Sequence, residues 1–143
     1  VYRRGIVSAV DPATARVRVI FPDADDMESY WLEVMQPRTL ATGDRSYWLP
    51  DEGEAVAVLM DEKDEAGVVL GAIYSTADPP PVISRDKHHV AHKDGAVIEY
   101  DRAAHVYRVS VPAGGRLELS AGATSIVLDD TGASLKGPRI NLN

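Results

Sequence analysis

Residues 116–143 read Arg116-Leu117-Glu118-Leu119-Ser120-Ala121-Gly122-Ala123-Thr124-Ser125-Ile126-Val127-Leu128-Asp129-Asp130-Thr131-Gly132-Ala133-Ser134-Leu135-Lys136-Gly137-Pro138-Arg139-Ile140-Asn141-Leu142-Asn143. Four times, two apolar side chains stand at i and i+2: Leu117/Leu119, Ile126/Leu128, Ala133/Leu135 and Ile140/Leu142. Leu119, Leu128, Leu135 and Leu142 follow one another at intervals of 9, 7 and 7 residues. A period of two puts both members of a pair on one face of a strand. Most rungs end in Gly or Asp, which turn the chain. The stretch therefore predicts short strands stacked as rungs, a weak internal repeat of the solenoid kind.

Such rungs pose an energetic problem. Burying one apolar side chain yields roughly 1.5–3 kcal/mol. Ordering each residue costs about 1–2 kcal/mol of backbone entropy. Two or three apolar side chains per rung cannot close a core within one chain, and there is no cysteine to supply disulfides. The stripe is expected to be buried against copies of the same chain around an axis, three copies making the smallest hollow prism. Leu117, Leu119, Ile126, Leu128, Leu135, Ile140 and Leu142 are the expected core of that trimer.

Upstream, Ala96 to Tyr100 and His105 to Val111 read as two further strands. Before them, Pro79-Pro80-Pro81 fixes three φ angles and removes three backbone donors. Such a triplet favours an extended, semi-stiff linker. The first 75 residues alternate with period two again. Val17, Val19 and Phe21 share one face, and Val56, Val58 and Met60 share another. Gly5 to Val10, Tyr30 to Met35 and Ala66 to Tyr74 are the other candidate strands, with Gly67 and Gly71 marking bends or bulges. Turn signals separate them at Asp11-Pro12, Pro22-Asp23, Gly43-Asp44 and Glu52-Gly53. Five or six short strands suit a small closed barrel, which leaves no edge to aggregate. The expected organisation is a barrel at 1–75, a proline-rich linker running into the helix at 76–95, and a β-helix at 96–143.

Composition narrows the function. Of 143 residues, 15 are Lys or Arg and 22 are Asp or Glu, for a net charge of −7. That balance argues against duplex DNA and anionic lipid as partners. No run of 18 apolar residues forms a spanning helix. The chain opens on Val1 and stops at Asn143, so one or both ends are expected to lie inside a longer chain.

Several motifs extend this reading. Arg4-Gly5-Ile6-Val7, Trp31-Leu32-Glu33-Val34-Met35-Gln36-Pro37-Arg38, and the run from Gly43 to Val56 with its Trp48-Leu49-Pro50-Asp51-Glu52-Gly53-Glu54 are joined by Gly67-Val68-Val69-Leu70-Gly71-Ala72-Ile73-Tyr74-Ser75. The proline triplet and Lys93-Asp94-Gly95-Ala96-Val97-Ile98-Glu99-Tyr100-Asp101 complete the pattern. From Arg4 to Asp101 the chain resembles the baseplate assembly protein V family, the central spike of contractile-tailed phages of the Mu and P-two-like type. Similar segments occur in spike proteins of type VI secretion systems. The resemblance implies an all-β chain, with an N-terminal OB-fold barrel followed by a trimeric, intertwined β-helix. It implies a spike at the tip of the tail baseplate of the virion, driven through the host envelope when the sheath contracts. The implied partners are two further copies, tail tube and baseplate hub proteins and, transiently, the host outer membrane. Full-length members often carry an apical iron held by His-x-His motifs. This chain has no histidine after His105, so such a site would need residues beyond Asn143 and no cofactor is expected here.

Other chemistry is weakly encoded. His88 and His92 would share a helix face but stand about 13 Å apart on a strand, and the cluster reads as solvated linker. Asp23-Ala24-Asp25-Asp26 lacks the glycine and the glutamate of a calcium loop, with Glu28 and Val34 in their places. No nucleophile elbow, zinc-protease or phosphate-loop motif occurs, so no catalytic and no metal residue is expected. Trp31, Tyr47 and Trp48 could stack bases, as in an oligonucleotide- or glycan-binding OB module, but read better as core or interface anchors.

Overall fold

The computed structural model describes all residues, Val1–Asn143, as two compact units, Val1–Pro79 and Pro80–Asn143. In the first unit β1 (Tyr2–Asp11) and β2 (Arg16–Phe21) form a hairpin, followed by a 3-10 turn at Pro22–Ala24. Then come β3 (Met27–Glu28), β4 (Leu32–Val34), β5 (Ala55–Met60) and β6 (Gly67–Ala72). The strand order β1-β5-β6-β4-β2 closes on itself through the β1–β2 pairing, with β3 pairing the Ile20–Phe21 end of β2 and β4 its Arg16–Val17 end. One pairing, β4 with β6, is parallel. This is a closed barrel of OB type.

The alternating residues decide which faces meet inside. Val17, Val19 and Phe21 from β2 and Val56, Val58 and Met60 from β5 are buried together with Val7, Leu32 and Val69. Gly5 faces β2 so closely that a Cβ would run into Val19 and the Ile20 carbonyl. The buried Ser29 hydroxyl accepts from Val19 N at 3.0 Å and donates to Tyr30 O at 2.7 Å, so no polar atom is stranded. The register of β5 against β6 shifts between Ala57 and Val58, where Ala57 faces Gly71 and Val58 faces Val69. Leu70 is the extra residue of that bulge, beside the glycine expected to mark it.

The second unit is two three-stranded antiparallel meanders. The first is β7 (Lys87–Ala91), β8 (Val97–Asp101) and β9 (Val106–Ser110). The second is β10 (Leu117–Ala121), β11 (Thr124–Asp129) and β12 (Gly132–Lys136). Two differences from the sequence expectation stand out. Lys87–Ala91, read as linker, is a strand because its alternation matches β8 across the turn at 92–96. Residues 139–143, read as a rung, form no strand, because no strand of the same chain lies beside them. The pairing within each meander is also intrachain, β10 with β11 and β11 with β12. Any intertwining of chains therefore falls at the meander edges.

Candidate functional site

The rung pairs meet across the second meander. Leu117 faces Leu128, which faces Ala133; Leu119 faces Ile126, which faces Leu135. Residues directly opposite point to the same side of a sheet. All three strands thus place their apolar pairs on one face, in two rows. The other face carries Glu118-Val127-Ser134 and Ser120-Ser125-Lys136.

Two tight turns frame this sheet. At the β11–β12 hairpin, Asp129 Oδ1 accepts from Thr131 N at 2.9 Å and Thr131 Oγ1 at 2.6 Å. Those hydrogen bonds hold the Asp129 carboxyl below its ordinary value. Between the meanders, Pro112-Ala113-Gly114-Gly115 turns sharply, with Gly115 N bonded to Pro112 O at 3.0 Å. Gly114 N donates to Asp130 Oδ2 at 2.6 Å and ties this turn to the β11–β12 hairpin. A slip of one residue would move every leucine to the polar side.

Nothing in one chain covers the apolar face. Leu119 is 60% exposed, and Ile126, Leu128, Leu135 and Ile140 are exposed as well. Leu117 is half-buried and Leu142 is 90% exposed. Contiguous uncovered apolar patches mark interaction surfaces. The sheet brings Leu117, Leu119, Ile126, Leu128 and Leu135 together; Ile140 and Leu142 lie beyond it on the unpaired tail.

The first meander holds a group that the sequence reading passed over. Glu99 on the middle strand is only 6% exposed. His89 and Arg108 flank it in one row across β7 and β9. His89 Nδ1 lies 2.9 Å from Glu99 Oε1, Lys87 Nζ 3.6 Å from the same oxygen, and Arg108 Nη1 3.3 Å from Oε2. The hydrogen bond from His89 does most to hold the Glu99 carboxyl below its ordinary value; desolvation opposes it and the charge of Lys87 adds to the lowering. The signal in the sequence was His89 and Glu99 equidistant from one turn, visible only once Lys87–Ala91 is known to be a strand. His88 stands opposite Tyr100 in β7, and His92 lies in the turn beyond it. No group of three or more His, Asp or Glu is placed to hold a metal ion.

On the barrel, Trp31, Tyr47 and Trp48 are exposed, which removes a core role for them within one chain. The Arg18 guanidinium lies 6.0 Å from the Trp31 ring, Tyr47 OH donates to Pro12 O at 2.9 Å, and Gln36 brackets the Trp48 backbone. These contacts fix the side chains outward.

Residues 3–74 match the family described as type VI secretion system/phage-baseplate injector OB domain. Residues 89–143 match the one described as Gp138, beta helical trimerization domain. Among curated proteins, the spike protein of Escherichia phage P2 is 37% identical over 110 residues, which is 76% of this chain and 49% of that protein. The chain thus spans about half the length of the curated relative it matches.

Proposed function

The chain belongs to the injector OB-domain family of type VI secretion systems and phage baseplates, and from that premise we propose that it is a homotrimeric central spike at the tip of a phage tail baseplate. Its work is mechanical: it transmits the force of sheath contraction to the host envelope and catalyses nothing. The single observation that carries this reading is the uncovered apolar face of β10–β12, within the residues that match a trimerization domain. A three-stranded sheet with one apolar face is a wall, and three walls turned inward close a prism. The residues facing inward are Leu117, Leu119, Ile126, Leu128 and Leu135, with Ile140 and Leu142 continuing the series on the tail. Tail tube and baseplate hub proteins dock on the barrel, and the host outer membrane is met only during piercing. The role needs no cofactor from these residues.

An oligonucleotide-binding module is the weaker reading. Exposed Trp31 and Trp48 offer stacking surfaces, but the neighbouring loops carry Asp23, Asp25, Asp26, Asp44, Asp51 and Glu52, and a single-strand groove is basic. Light scattering tests the proposal first: the mass in solution should be about three times 15.5 kDa. Antibody against the chain should then label tail tips of the phage that encodes it. A single-chain mass, or label confined to the sheath, would overturn the proposal.

A further inference from the structure

Alternation along β1 turns Gly5 and Val7 into the barrel, and it turns Arg3 the same way, opposite the buried Val58 of β5. A charge on the inner face is out of place, and a guanidinium has no neutral form to adopt instead. The Arg3 side chain is only 12% exposed. Its Cζ lies 4.3 Å from the centre of the Phe21 ring, which is fully buried in the core. Nη2 is 3.4 Å from Asp23 Oδ1 and Nη1 is 3.2 Å from Asp64 Oδ2. Asp23 belongs to the 3-10 turn after β2, and Asp64 to the hairpin between β5 and β6. One side chain thus spans two loops at one end of the barrel.

Both loops hold non-glycine residues in the left-handed region: Asp25 at φ 55° and Asp26 at φ 57° after the turn, and Asp64 at φ 56° in the hairpin. Such conformations persist where the surroundings enforce them. The hairpin has a frame of its own, since Asp61 Oδ1 accepts from Lys63 N at 3.1 Å and Glu65 N at 2.9 Å. The 3-10 turn has no side-chain cap. We propose that Arg3 is a latch across this end of the barrel, coupling the loop at 22–26 to the β5–β6 hairpin, so that release at the hairpin frees the loop and uncovers Phe21. The coupling follows from the charges. Without Asp64, the guanidinium keeps only Asp23, which is 70% exposed. A nearly buried cation whose sheltered partner is gone is better solvated in water. Leaving, it gives up the Phe21 ring and Asp23 together, and the uncapped turn loses its tie. The latch lies within one barrel and does not depend on assembly.

Amide hydrogen exchange on the full chain tests this, because it reads local opening loop by loop. Arg3→Met keeps an unbranched apolar cover over Phe21 and removes the charge. Its amides at 22–26 and at 61–66 should both exchange at least about threefold faster than the parent's. Asp64→Asn should speed exchange at 22–26 by a similar factor, although the substitution lies on the other loop. Arg3→Lys should recover only part of the protection, since a single ammonium cannot engage two carboxylates as a planar fork does. High salt should move the parent toward Arg3→Met and leave Arg3→Met itself unchanged. An Asp64→Asn effect confined to 61–66 would overturn the coupling. Parent-like exchange of Arg3→Met at both loops would show that Arg3 fills space and latches nothing. Should Arg3→Met fail to fold, Asp64→Asn on the exposed hairpin decides the matter alone. Light scattering on the same samples keeps the spike reading separate, as the latch stands or falls on exchange rates at whatever mass is found.

Discussion

Glu99 and Gly5 show how single residues set limits on each unit. Glu99 sits among His89, Lys87 and Arg108, and its folded carboxyl titrates below the unfolded value of 4.5. A carboxylate whose folded pKa is depressed adds stability that is fully present above the unfolded value and lost as pH falls through the folded one. Glu99→Gln should therefore be less stable than the parent at pH 7. The gap should close as pH falls below 4.5 and on through the lowered folded pKa, where the parent also loses the charge. Thermal melts of both chains between pH 7 and pH 3 check this; a gap independent of pH would mean that Glu99 acts by shape alone. Gly5 packs without a Cβ against Val19 and the Ile20 carbonyl. Gly5→Ala should destabilise the barrel by about 1–3 kcal/mol through overpacking, while leaving the mass of the assembly unchanged.

At the scale of elements, the second meander separates folding from assembly. Leu128 is exposed in the single chain, so Leu128→Asp has little to break within its own sheet. In a prism it forces three carboxylates into a dry core, where their desolvation is uncompensated. The variant should fold, with strand-type circular dichroism, yet sediment as a single chain. Glu118→Ala, on the opposite face, should stay within about 0.5 kcal/mol of the parent and remain assembled. A Leu128→Asp trimer of unchanged melting temperature would show that the rung face points to solvent. The linker is the other element with a clear test. Pro79 to Arg85 makes no strand pairing, and Ile83 is fully exposed. Limited trypsin should cut first after Arg85, because exposed and unpaired backbone enters a protease most readily. The fragment ahead of the cut should be a single-chain barrel, and the fragment after it should retain the oligomer.

For the whole molecule, the relevant quantity is the rate of unfolding. Each chain pairs its own strands within a meander, so in the proposed trimer the chains would hold one another through apolar faces and sheet edges. Pulling one wall away exposes the inner faces of the other two before any new contact forms. In the proposed trimer that step is expected to meet a high barrier and to give a long native lifetime. The assembly is expected to run as a trimer on detergent gels without boiling and as a single chain after it. Reassembly after boiling should be slow, since three chains must meet in register through non-local contacts. A single-chain band in unboiled samples would place the binding energy elsewhere.

Strand alternation is enough to tell which residues face which way. Alternation in β2 and β5 named the barrel core, and the i, i+2 pairs named the open face of β10–β12, because a strand's side-chain period is fixed at two by its backbone. The sequence also marked the break at the proline triplet, where donors are missing. Tertiary structure alone decided who pairs with whom. The closure of β1 on β5, the parallel β4–β6 pairing and the strand at Lys87–Ala91 depend on partners far along the chain or across a turn whose geometry composition leaves open. The Glu99 cluster follows from the same cause: Lys87, His89, Glu99 and Arg108, scattered over residues 87–108, become one site only when three strands align them. Local pattern sets the face of each strand; cross-strand neighbours, which carry the chemistry, are set by non-local hydrogen bonding.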